Sequence, residues 1–412
     1  MIFNSISFVV FFVIFFIFYW FVFNKNLRLQ NLLILIGSYV FYGWWDWRFL
    51  SLLIGYSLVN FLLGFYIYKA KEHYTKKFLA FMGVFVGIGL LSYFKYTNFF
   101  ITSFLTLFSS LNIKLEVHTI NVILPLGISF YTFRTLSYLF DIKNNKIKPT
   151  SDWVAFFSFV AFFPCLLSGP IDRAKTLIPQ LEKTREFKYN DAVAALRQIL
   201  WGLFKKVVIA NTLAQVTDNV YANYQHKPGS TLLVAVFYFS IQLYADFSGY
   251  SDMAIGVARL LGFNVTRNFN YPFFAQNIAE YWRSWHISLT SWLTDYLFTP
   301  LSISFRDYGK TGLIMAIIIN FILVGIWHGA NWTFVLFGFL HGCYFIPLIL
   351  NGTMNKKKKM NVNKAVPSFV EVKNMLSTFT LVSFTLIVFR SDSISAAFGF
   401  VTRIFLRSFL PF

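Results

Sequence analysis

Apolar runs separated by short polar connections fill almost the whole chain. They fall at about 5–23, 31–43, 49–68, 78–94, 97–110, 122–140, 153–169, 231–245, 313–326, 332–350 and 373–389. A mixed stretch at 192–216 and a last run at 395–411 are less uniform. A helix needs roughly 20 apolar residues to cross a bilayer, so the pattern predicts an all-α polytopic membrane protein. No stretch is rich enough in Pro or Ser to read as a linker, and no internal repeat is visible, which predicts one membrane domain over 1–412. The opening run, Met1 to Phe23, has neither a basic leader nor a small-residue cleavage site and reads as a retained first span.

The polar connections predict orientation. Lys25 and Arg28, then Lys69, Lys71, Lys76 and Lys77, are separated by two apolar runs, which puts both basic loops in the cytoplasm and the N-terminus outside. Lys356 to Lys359 form another cytoplasmic candidate. The alternation fails between Lys143–Lys148 and Arg173–Lys175, two basic flanks around a single run that ends in Pro164 and Gly169-Pro170. That run reads either as a re-entrant element lining a cavity or as a plain span with a basic far loop; irregular backbone at membrane depth requires protein or water around it. Residues 171–191 are the longest polar stretch and belong at the cytoplasmic interface. Lys205 and Lys206, after Trp201, read as interfacial anchors.

Composition strengthens this picture. Of 412 residues, 57% are hydrophobic and 13% charged, against about 25% charged in a soluble domain. A water-soluble enzyme is therefore excluded. The net charge of +19 resides mostly in the short loops, where it faces anionic membrane lipid or an anionic acyl donor and does not call for nucleic acid. Cys165 and Cys343 are far apart in apolar surroundings and read as packing residues; no spacing suggests a metal site or a disulfide.

Polar residues inside apolar runs are expensive and mark function by default. Three clusters qualify. In QLYADFSGYSDM, Asp246, Ser248, Tyr250 and Asp252 end a strongly apolar run. The two aspartates are six apart and would not share a face of a straight helix, so a break at Gly249 is expected to aim both into one cavity; capping residues at a polar helix end are the simpler alternative. In EYWRSWHISLTSW, Trp282, Trp285 and Trp292 form an aromatic stripe at helical spacing, Glu280 and Arg283 can pair, and His286 is either a ligand contact or a core histidine. In VGIWHGANW, His328 is flanked by Trp327, small residues and Asn331. An imidazole there suits a general base or, less pointedly, a packing role. Gly329 and Ala330 allow close approach. His341 takes a secondary place, and His73, His118 and His226 read as solvated.

The blocks MIFNSISF, GSYVFYGWWDWRFL, LPLGISFYTFRTLSYLFDI, SGPIDR, QLYADFSGYSDMAIGVARLLGF, NFNYPFFAQNIAEYWRSWHISLTSWLTDYLFTPL and GIWHGANWTFVLFGFLHG occur in that order over roughly residues 1–345. A weaker echo follows at VFRSDSISAAF. Together they resemble the membrane-bound O-acyltransferase family, and within it the bacterial branch of alginate and peptidoglycan O-acetyltransferases. The resemblance implies about eleven transmembrane helices plus re-entrant helices around a central funnel. It makes His328 the catalytic histidine and His286 the second signature position, where relatives carry Asn or His. Ser284 departs from the double-arginine form common in this branch, and relatives often run longer after the FR block.

The implied activity is transfer of an acetyl group from a cytoplasmic thioester, acetyl-CoA or an acyl carrier, to polysaccharide hydroxyls outside, directly or through a periplasmic partner. No bound cofactor is implied, and the expected location is the bacterial inner membrane. His328 would act as base, and His286 or Asn331 as donor to the oxyanion. Asp246, Ser248, Tyr250, Asp252, Arg283, Trp285, Trp327 and Asn331 would line the substrate cavity. A transporter or a non-catalytic scaffold of a polysaccharide export complex is the alternative.

Overall fold

A computed structural model describes residues 1–113, 122–354 and 366–406. His118 and the Lys356 to Lys359 cluster lie outside the described residues. Among the described residues every regular element is a helix, and the chain divides into two compact units, Met1–Leu203 with Tyr250–Thr266, and Phe204–Gly249 with Arg267–Phe412.

The first unit opens with α1 (Ile6–Ile17), α2 (Leu27–Gly43), α3 (Arg48–Lys69), α4 (His73–Leu91) and α5 (Thr97–Ser110). It continues with α6 (Ile128–Lys143), α7 (Trp153–Ala161), α8 (Phe163–Leu166), α9 (Ala174–Leu181) and α10 (Tyr189–Leu203). The second holds α11 (Asn211–Ala222), α13 (Ile278–Ser284), α14 (Ile287–Leu293), α15 (Thr299–Ser304) and α16 (Gly309–His328). It ends with α17 (Trp332–Tyr344), α18 (Ile346–Leu350), α19 (Phe369–Arg390) and α20 (Ile394–Leu406). The long α12 (Gly229–Leu260) belongs to the second unit up to Gly249 and to the first from Tyr250.

Among the described residues six helical stretches are long and apolar enough to cross a membrane: Arg48–Lys69, His73–Ser110, Gly229–Leu260, Arg306–His328, Trp332–Leu350 and Phe369–Arg390. The helices 6–22 and 394–406 are apolar but shorter. Their outer faces are unusually rich in exposed aromatic and aliphatic side chains, including Phe21, Phe85, Phe100 and Phe398. Such surface would drive association in water and is what a lipid-facing helix presents.

The run at 153–169 does not form one helix. α7 has nine residues, about 14 Å at 1.5 Å per residue, roughly half the hydrocarbon thickness. It stops at Phe162 (φ −51°, ψ 99°), the chain restarts as the four-residue α8 with Pro164 in its first turn, and every residue from Val154 to Leu166 is buried. Two side chains serve the interrupted backbone, Ser38 accepting through Oγ from Phe163 N (3.2 Å) and Arg134 donating to carbonyls. Arg134 of α6, wholly buried, donates through Nη1 to the carbonyls of Phe159 (3.3 Å) and Val160 (3.4 Å), and through Nη2 to those of Cys165 (2.9 Å) and Pro170 (3.4 Å). This broken, protein-enclosed element has the architecture of the re-entrant reading.

At Gly249 the outcome differs from the expectation. α12 runs through it without interruption. A glycine in a helix interior costs about 0.5–1 kcal/mol relative to alanine, too little to break a long helix that packs on both sides of it. Asp246 and Asp252 consequently point in different directions. The Asp246 carboxylate pairs with Lys206, whereas Asp252 accepts from Gln198 Nε2 at 3.0 Å. The lysines are not interfacial anchors either. They lie in a widened π-type turn, Phe204–Ala210, where Lys205 is buried and donates to Ser248 Oγ at 3.0 Å while Lys206 holds Asp246. An inserted residue of this kind re-aims side chains inward.

Candidate active site

Of the four histidines in the second unit, His286, His328 and His341 lie among aromatic rings. His328 is the last residue of α16, followed by Gly329 in extended conformation, and α17 returns against α16. The two helices touch because Gly325 and Gly338 have no side chain. A Cβ on Gly325 would lie 2.0 Å from the Phe334 carbonyl oxygen, and one on Gly338 2.1 Å from that of Phe321. Small residues at such crossings let backbones approach. At Gly329 a Cβ would strike the Phe334 ring at 2.0 Å, so this glycine admits that ring.

His286 is placed differently. The tryptophan stripe is not carried by one helix: α13 ends at Ser284, Trp285 is extended, and His286 adopts the left-handed conformation (φ 44°, ψ 52°) before α14 begins. A non-glycine residue held there stores on the order of 1–3 kcal/mol, and the surroundings impose it. Ile287 N donates to the Asn268 carbonyl (2.9 Å), Ser288 Oγ to Asn268 Oδ1 (2.6 Å), and Asn270 N to the Ser284 carbonyl (3.0 Å). The turn is thus laced to the segment after Arg267.

The turn buries the imidazole among rings. Phe247 lies edge-on at 4.6 Å between centroids, and Trp327 at 5.5 Å. Among the described residues neither ring nitrogen has a hydrogen-bond partner, although the residue is 1% exposed. Burial, and in second place His328, hold this imidazole well below the ordinary histidine range, so it is neutral. The Trp327 indole meets both histidines, with the His328 ring at 4.9 Å. His328 is only half-buried, and Phe389 (5.2 Å) and Phe337 (6.1 Å) complete its wall. The result is an accessible imidazole and a sequestered neutral one on one aromatic partition. Among the described residues no group of three or more His, Cys, Asp or Glu side chains could hold a metal ion.

The membrane-bound O-acyltransferase family profile matches residues 83–389. The chain belongs to this family. A protein named probable alginate O-acetylase from Pseudomonas aeruginosa is 37% identical over 384 residues, covering 92% of this chain and 70% of its own length. The peptidoglycan O-acetyltransferase of Helicobacter pylori is 31% identical over 400 residues, covering 90% and 73%. A teichoic acid D-alanyltransferase from Streptococcus thermophilus is 30% identical over 282 residues, covering 65% and 66%. The protein is accordingly a multi-pass membrane acyltransferase.

Within this acyltransferase the other expected cavity residues divide. Trp285 joins the wall beside His286, stacking on Tyr281 at 5.5 Å and meeting Phe269 edge-on at 5.0 Å. Ser248 and Asp246 are engaged by the two lysines. Tyr250 stacks on Phe3 at 4.9 Å and Asp252 bonds Gln198, both within the first unit. Arg283 is exposed and donates to the Met354 carbonyl, while the Glu280 carboxylate accepts from Gln276 N; the two do not pair. Asn331 caps α17, its Oδ1 accepting from Thr333 N (3.1 Å) and its Nδ2 donating to the Asp392 carbonyl (2.8 Å). An amide committed at both ends is poorly disposed to be the oxyanion donor. One contributor carries no local signal in the sequence: Asn268 shapes the His286 turn from 18 positions upstream. Trp282, read from the sequence only as part of the aromatic stripe, reaches His341, with Nε1 donating to Nδ1 at 3.2 Å.

Proposed function

We propose that the protein transfers an acetyl group from a cytoplasmic thioester, acetyl-CoA or an acyl carrier, to hydroxyls of a cell-wall or extracellular polysaccharide, and that it does so in the bacterial cytoplasmic membrane. What supports the reading is the pairing of a half-buried His328 with a buried, neutral His286, both against the Trp327 ring. His328 takes the proton of the attacking hydroxyl. The new oxygen–carbon bond forms as the thioester carbonyl becomes a tetrahedral oxyanion. An N–H of neutral His286, which has no acceptor among the described residues, donates to that oxyanion. Collapse breaks the carbon–sulfur bond, and the proton held by His328 passes to the departing thiolate. No resident cofactor enters the scheme. The acceptor receives the acyl group directly or from a periplasmic protein acylated first.

Acetyl is preferred over D-alanyl because the relatives named for acetyl transfer match nine tenths of the chain, against 65% for the teichoic acid enzyme. Ester-linked acetate on isolated cell-wall and secreted polysaccharide tests this in wild type, a deletion strain and His328→Ala at matched membrane abundance. Loss of acetate from one polymer in both mutants is expected and names the acceptor. Unchanged acetate in every fraction overturns the reading.

A further inference from the structure

We propose that His341 is a positioning residue of this active site: as the hydrogen-bond acceptor of Trp282, it fixes the turn that presents His286. The inference rests on the acyltransferase reading of His286 and His328.

His341 stands on α17 with no exposed surface. Its Nδ1 receives the Trp282 Nε1 proton at 3.2 Å. An indole nitrogen only donates, so Nδ1 holds a lone pair and the proton of the neutral imidazole sits on Nε2. The identity of the side chain matters here. Leucine or phenylalanine would fill the space, but neither would accept from a buried indole, whose orphaned N–H would cost about 1–3 kcal/mol.

The bond acts at a weak point of the fold. α13 has seven residues, too few to be stable by itself, and the chain leaves it directly into the strained conformation at His286. Trp282 lies four residues before His286 and anchors this short helix to α17, while Asn268 anchors the far side of the turn. The Trp282 ring also packs on Phe321 at 4.9 Å and meets the His341 ring edge-on at 5.1 Å. On its other side, the His341 ring is 4.5 Å from Phe337, which itself faces His328 at 6.1 Å. His341 is therefore one ring removed from the wall of His328 and one short helix removed from His286, and it registers both on α17.

Full-length protein in proteoliposomes, given acetyl coenzyme A and the isolated cell-wall polymer, provides the test. Trp282→Phe and His341→Phe each lower kcat by about ten- to a hundredfold, with KM for the thioester within about twofold, as expected of lost orientation. His341→Gln, whose carbonyl can accept from the indole, recovers most of the loss. The Trp282→Phe/His341→Phe double variant loses no more than the worse single one, because both delete one interaction. Hydrogen exchange across residues 278–293 rises in His341→Phe and not in His341→Gln, a readout that needs no turnover. A wild-type kcat in His341→Phe, losses that multiply in the double variant, or unchanged exchange would overturn the proposal. If His341→Phe does not accumulate, Trp282→Phe interrogates the same bond with the imidazole in place. Absence of acetyl transfer by the wild type would count against the acyltransferase reading, and hydrogen exchange would still decide the anchor.

Discussion

Arg134 and His286 are both polar, both buried and both surrounded by aromatic and aliphatic residues, yet the fold treats them in opposite ways. The guanidinium of Arg134 reaches three main-chain carbonyls of the interrupted α7–α8 element and that of Pro170 beyond it, leaving only Nε without an acceptor among the described residues. Among the described residues His286 has no hydrogen-bond partner at either ring nitrogen, and it sits in a backbone conformation that few residues tolerate. One polar group is spent on making an irregular backbone possible inside the protein. The other is held at a cost to stability, which its proposed role as donor to the oxyanion would offset. Burial alone would have marked both as functional; the state of their hydrogen bonds separates them.

Substitutions can break this comparison. The largest effect is expected from Arg134→Leu, which takes a donor from the buried carbonyls of Phe159, Val160 and Cys165 at about 1–3 kcal/mol each, while Pro170 keeps Asp172 N; the protein should fail to accumulate in the membrane, as read by detergent-extracted, monodisperse yield. His286→Ala should do the reverse. It removes two orphaned nitrogens, so melting should move by only a few degrees, while acetyl transfer falls by about 10²–10³-fold if the imidazole serves the oxyanion. His286→Asn, polar and tolerant of the left-handed conformation, should keep more activity than His286→Ala in the same assay. Gly325→Ala forces α16 from α17 at a backbone contact and should cost about 1–3 kcal/mol, as overpacking does, visible as a lower melting temperature. Asn331→Ala, losing a cap, should cost about 1 kcal/mol and leave acetyl transfer within a few-fold of wild type at matched folded protein.

Much of this organisation is legible in the sequence because the bilayer penalises polar atoms so heavily. Histidines in WRSWHIS and WHGANW stand out for that reason, and Pro164 with Gly169-Pro170 marks the interruption of α7. The course of α12 is not legible in the same way. Gly249 permits a break but does not demand one, and whether the helix continues depends on packing that no local pattern records. Partners distant in sequence were equally hidden. Lys205 and Lys206 resemble membrane anchors until a π-type turn is seen to direct them at Ser248 and Asp246. The Trp282–His341 bond joins residues 59 positions apart, and Asn268 lies in a stretch with no periodicity at all. Residue types announce where chemistry is expensive; the three-dimensional partner decides whether the expense serves the fold or the reaction.

In the proposed mechanism His286 and His328, both in contact with the Trp327 ring, act as one unit. Thiol release from acetyl coenzyme A by the reconstituted protein with its acceptor polymer, measured for His286→Ala, His328→Ala and the double variant, tests it most directly. Groups that act together are strongly non-additive, so the double variant should be scarcely slower than His328→Ala alone. Losses that multiply, or a His328→Ala protein that turns over at the wild-type rate, would contradict the account.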